Sequence, residues 1–170
     1  MRNASRPLAY GAVSAALGVV LLYAASLLPT GKIAAVIAAS LAAAFLRLRF
    51  DGRWALGCFA VTGLLGLLAL PTKAPAILYL GFFGYYPILK MRVERLSAPV
   101  WRWVVKLLCF NLVMAALYLA FRSVFPEDLG PLASWPALML LASNAAFIVY
   151  DCALSQGILY YLRHISGRME

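Results

Sequence analysis

From Leu8 to Leu28 the chain reads LAYGAVSAALGVVLLYAASLL, with no charge and nothing more polar than two serines and two tyrosines. A run of about 20 apolar residues, coiled as an α-helix, matches the thickness of a bilayer's hydrocarbon core. Arg2 and Arg6 stand before it as basic residues stand before a secretion signal. The run is long for that role, however, and no small-x-small cleavage site introduces a polar body behind it, so a retained helix is expected.

Five more apolar runs follow, at about 33–46, 54–70, 74–89, 100–124 and 134–162, with prolines, glycines and charges as punctuation. The 170 residues are 65% hydrophobic and only 12% charged, with mean hydropathy +0.88, which is far from the balance of a water-soluble domain. The expectation is an all-α fold: a polytopic membrane protein of the cell membrane, one integral membrane domain over residues 1–170, formed as a compact bundle of six transmembrane helices. The second and fourth runs are short for a full crossing, so they are expected to lie inside the bundle or to end below the surface.

Basic residues on short loops are retained on the cytoplasmic side. With six crossings, one side collects twelve, namely Arg2, Arg6, Arg47, Arg49, Arg53, Lys90, Arg92, Arg95, Arg102, Lys106, Arg163 and Arg168, and the other collects three, Lys32, Lys73 and Arg122. Both termini are therefore expected in the cytoplasm. The net charge of +9 then reflects topology and contact with anionic headgroups. Nucleic-acid binding is excluded as a class, because it would need a polar domain to carry it.

Cys58, Cys109 and Cys152 lie within apolar runs, without the paired spacing of a zinc or redox site, and read as reduced, buried thiols. His164 is the single histidine and sits beside Arg163 at the edge of the last run, where an interfacial place fits it better than catalysis. A Gly-rich phosphate loop, a His-Glu-x-x-His pattern and an assembled Ser-His-Asp set are all missing from the sequence. The reading is of a protein that is not an enzyme and carries no cofactor or metal.

Polarity at depth is what remains. Asp151 stands twelve residues before Arg163 in SNAAFIVYDCALSQGILYYLRH, which places it about 18 Å inside that edge at the helical rise. A carboxylate there costs on the order of a few kcal/mol, and it must be protonated, paired or hydrated. Helical spacing puts Asn144, Asp151 and Ser155 on one face, with Gln156 beside it. In the fifth run Asn111 and Tyr118 are seven apart and share a face. Lys106 is expected to snorkel to the surface; the alternative is that Lys106 or Lys90 reaches Asp151. These stripes are read either as interhelical hydrogen bonds that join helices or as the lining of a pocket.

In YGAVSAALG the pairs Gly11 and Ala15, Ala12 and Ala16, and Ser14 and Gly18 are each four apart, a spacing that lets helix backbones approach closely. Gly57, Gly63, Gly66, Gly81 and Gly84 are expected to serve tight packing in the third and fourth runs. Pro87 is expected to kink the fourth helix. The aromatics from Tyr79 to Tyr86 extend too far for an interfacial belt and suggest a partly cavity-lining role.

The small-residue first run GAVSAAL, the short Ala-rich second run and the basic turn into a Gly-studded third run, RLRFDGRWALGCFAVTGLLGLL, resemble the substrate-binding S components of energy-coupling factor (ECF) transporters. That resemblance implies a coupling transmembrane subunit and ATPases as partners, docked at Ala12 and Ala16, and a small solute such as a vitamin held in the outer half by the later helices. The four-residue link PTGK is shorter than the family's first loop. GYYPILK, with Glu94, Lys106 and Asn111 downstream, is similar to uncharacterised small membrane proteins of Gram-positive bacteria, and rod-shape proteins of the MreD type share the general helical architecture. Two functions are therefore expected: a solute-capturing subunit using Asn111, Tyr118, Asn144 and Asp151, or a non-transporting scaffold in envelope assembly.

Overall fold

The computed structural model describes residues 5–124 and 136–164, and these are helical almost throughout. The elements are α1 (Ser5–Leu27), α2 (Lys32–Arg49), α3 (Gly52–Ala69), α4 (Ala74–Leu78), a π-helical turn (Tyr79–Phe83), α5 (Tyr86–Val93), α6 (Pro99–Val124) and α7 (Pro136–His164). Taken with its interruption, the stretch from α4 to α5 is one broken segment, so six helical segments answer the six apolar runs. Among the described residues, three stretches are long and apolar enough to cross a membrane: α1, α3 and residues 99–119 of α6. The α2 helix carries Lys32, Arg47 and Arg49 at its two ends.

The chain divides into two compact units, residues 1–102 and 103–170. In the first unit, links of a few residues join α1, α2 and α3 as antiparallel neighbours, and two apolar clusters stack along their length. One contains Ala15, Leu46, Ala55, Cys58 and Ile88. The other contains Leu22, Ala25, Val36, Ala39, Leu70, Ala76 and Tyr79. The first therefore gathers the N-terminal half of α1, the end of α2, the start of α3 and α5; the second gathers the opposite ends.

Small residues set how closely α1 meets α3. A β-carbon on Gly18 would stand 2.8 Å from Thr62 Cγ2, a separation that forces one of the helices to move. Thr62, fully buried, donates from Oγ1 to the Ala15 carbonyl at 3.5 Å and lies 3.9 Å from Cys58 Sγ. Ser14, Ala15 and Gly18 are the part of the small-residue pattern used inside the unit, while Ala12 and Ala16 point outward.

The break in the fourth segment lies earlier than Pro87. Gly84 N–H donates to the Tyr79 carbonyl at 2.8 Å, a five-residue span that widens one turn into a π-bulge. Pro87 instead falls in the first turn of α5, where its missing N–H costs nothing, and Ile88 and Leu89 both donate to Tyr85 O at 3.0 Å. Gly63 and Gly84 make room for the bulge. A β-carbon on Gly63 would collide with Leu80, and one on Gly84 would stand 2.5 Å from Phe59 Cδ2 and 2.7 Å from Tyr79 Cε1.

Gly57, expected to serve packing, has nothing within 4 Å of its β-carbon position. The aromatics of this region pack on one another: Phe82 stacks on Tyr86 with centroids 4.7 Å apart, and Phe59 meets Tyr79 at 5.8 Å. Tyr79, Phe82 and Tyr86 are fully buried.

Candidate polar site in the α6–α7 hairpin

Within the second unit, α6 and α7 run antiparallel, as successive cross-helix pairs show: Lys106 with Asp151, Phe110 with Phe147, and Asn111 with Asn144. The sequence dictates this ladder through spacing. Lys106 and Phe110 are one turn apart on α6 with Asn111 beside them; Asn144, Phe147 and Asp151 follow one another at single turns on α7. Every pair therefore falls on the seam between the two helices.

Lys106 Nζ donates to Asp151 Oδ2 at 2.9 Å, and the two side chains are 6% and 4% exposed. This corrects the expectation that Lys106 snorkels to the surface. Its position on the hairpin seam places the ammonium within reach of a carboxylate, and in an apolar setting pairing satisfies both charges together. The ammonium also lies 5.3 Å from the centre of the Trp103 ring, within cation–π range.

One layer away, the two amides bind reciprocally: Asn111 Nδ2 donates to Asn144 Oδ1 at 3.0 Å, and Asn144 Nδ2 donates to Asn111 Oδ1 at 2.9 Å. Each Nδ2 also donates along its own helix, Asn111 to Leu107 O and Asn144 to Leu140 O, both at 2.8 Å. All four amide protons of the pair thus have acceptors. Phe110 and Phe147 stack with centroids 4.5 Å apart and planes 12° from parallel, forming an apolar layer at the level between the two polar ones.

Of the residues read from the sequence, Asn111, Asn144 and Asp151 come together on one seam. Tyr118 is half-buried two turns beyond Asn111, on the side away from Lys106. Ser155 donates to the Asp151 carbonyl at 2.9 Å, a bond within α7, and Gln156 is exposed. The thiols differ from expectation: Cys58 is buried and Cys109 half-buried, but Cys152 faces outward, because it follows Asp151 directly and so lies off the seam. His164 is the last residue of α7.

Two polar features of the first unit escaped sequence reasoning. Lys90 is completely buried on α5 and pairs with Glu94 at 2.9 Å, one turn on; the i to i+4 spacing was the available signal. Arg47 has its Nε buried, and no acceptor among the described residues reaches it. No group of three or more histidine, cysteine or carboxylate side chains with metal-binding proximity occurs among the described residues.

No family model, curated protein or solved structure matches this chain.

Proposed function

We propose that this chain is a multi-pass protein of the cell membrane that acts by docking to another membrane protein, as a scaffold or assembly subunit without catalytic activity. The observation that carries the reading is the pairing of Asn111 with Asn144 and of Lys106 with Asp151 across the seam. Groups that hold one another in this way join helices and leave little polarity for a solute. The docking face is the outward side of α1, where Ala12 and Ala16 are exposed beside Val13 and Leu17. Six crossings with both termini cytoplasmic account for the twelve-to-three division of basic residues.

A second reading has its own support. A solute-binding subunit of the ECF type, coupled to a separate transmembrane subunit and its ATPases, would use the same outward Ala12 and Ala16, with Tyr118 as the pocket residue outside these pairs. Affinity purification from native membranes in mild detergent, with mass spectrometry of proteins and small molecules, separates the two. Envelope-assembly proteins with no co-purifying solute are the expected result, and Ala12→Leu/Ala16→Leu should lose them while keeping the helical content of the parent. Recovery of ATPases together with a bound solute would overturn the scaffold in favour of the carrier.

A further inference from the structure

One end of the first unit is strongly cationic, and its arginines converge from three elements. Arg47 and Arg49 close α2, Arg53 opens α3, and Arg92 lies in the last turn of α5 with Arg95 just beyond it. These elements are neighbours there, since Leu46, Ala55 and Ile88 share one buried cluster. Of the two acidic residues at this end, Glu94 is engaged with Lys90, which leaves Asp51, at the exposed N-cap of α3. At the opposite end of the unit the basic residues among those described are only Lys32 and Lys73, and Lys73 Nζ donates to the Leu70 carbonyl at 2.7 Å.

Two of the arginines are held in place by packing. The Arg47 side chain lies over Gly52, whose β-carbon position is 3.5 Å from Nε and 3.6 Å from Cδ and Cζ. Its Nε is inaccessible to solvent and has no acceptor among the described residues. Arg49 sets its guanidinium 4.7 Å from the centre of the Tyr10 ring, and Tyr10 in turn packs on Phe50 at 5.6 Å. A fixed, planar guanidinium is suited to a phosphate oxygen pair.

We propose that this end of the first unit binds the phosphate of an anionic phospholipid, with Arg47 as the principal ligand and Arg49 and Arg53 beside it. The site lies at the end of α3, an apolar helix long enough to span, and therefore at headgroup depth. Leu56, Leu64 and Val61 face outward along the same helix and supply the surface for acyl chains. That adjoining apolar surface distinguishes a lipid from a soluble phosphate, which would use the arginines alone.

The test is native mass spectrometry of the full chain released from nanodiscs of mixed phosphatidylglycerol and phosphatidylcholine. The parent should retain phosphatidylglycerol selectively, and Arg47→Gln/Arg49→Gln should weaken that retention about tenfold or more, as loss of two surface cations predicts. Lys32→Gln/Lys73→Gln, which removes as much charge from the other end, should retain it fully. Arg47→Lys keeps the charge without the planar fork and should fall between parent and double variant; it decides the matter if the double variant loses its helical circular dichroism. Equal retention by the parent and the Arg47 variants would overturn the proposal, as would equal loss in the lysine control. Displacement of the lipid by millimolar inorganic phosphate would overturn its lipid specificity and assign the arginines to a soluble anion.

Discussion

At the scale of single residues, the Lys106–Asp151 pair sets the sharpest expectation. Removing one partner leaves the other charged and buried, whereas replacing both with apolar residues removes the penalty along with the bond. Asp151→Asn should therefore destabilise the detergent-solubilised chain by about 3 kcal/mol, while Lys106→Met/Asp151→Leu should return most of that loss. Unfolding titrations that followed helical circular dichroism would check both; a double variant as unstable as the single one would show that the polarity itself is needed. The amide pair is a milder case. Asn111→Ala and Asn144→Ala should couple by about 1 kcal/mol in a double-mutant cycle, because each removes the same pair of bonds. Spacing in the sequence identified Asn144 and Asp151 as sharing a face and Asn111 as polar at depth. It did not reveal that these faces meet, since seven-residue periodicity fixes direction around one helix and says nothing of the register between two. Lys106 was misread for that reason: a lysine two turns inside a helix snorkels or pairs according to what stands opposite.

At the scale of elements, the broken fourth segment shows where local sequence rules lose to packing. Pro87 signals a break, yet it sits comfortably in the first turn of α5, and the irregular turn is Tyr79–Phe83. That turn depends on two glycines far apart in sequence, Gly63 on α3 and Gly84 at its own end, which let Leu80, Phe59 and Tyr79 come close. Propensity cannot register such a requirement, because it arises only when the two segments pack. Gly84→Ala should accordingly lower stability by about 1–3 kcal/mol through overpacking against Phe59 and Tyr79. Gly57→Ala, on the same α3 helix but with open space around it, should gain about 0.5–1 kcal/mol from reduced backbone freedom. Thermal unfolding of the two variants in one detergent tests the contrast, and similar losses in both would mean that α3 tolerates no added methyl group on either side. The small-residue pattern of α1 divides in the same manner: Ser14, Ala15 and Gly18 were legible as a packing motif, but not that they turn inward, with Thr62 against Gly18, while Ala12 and Ala16 turn out.

For the whole molecule, the asymmetry of charge is both the most legible property and the one on which the proposed topology rests. Helix number followed from apolar runs with little ambiguity, since charges and prolines separate them and a polar gap inside a bilayer is costly. The two ends of the first unit differ strongly in basic residues, and the proposed topology puts the arginine-rich end in the cytoplasm, where arginine and lysine are retained. Asp51 and Ser97 are exposed at the arginine-rich end, and Thr72 is exposed in the link between α3 and α4 at the other. In a background lacking Cys58, Cys109 and Cys152, a membrane-impermeant maleimide applied to intact cells should label Thr72→Cys. Asp51→Cys and Ser97→Cys should react only after the membrane is opened. The opposite pattern would invert the proposed topology and move the arginines to the outer surface. Labelling of all three in intact cells would be incompatible with α3 crossing the bilayer, because its two ends would then share one side.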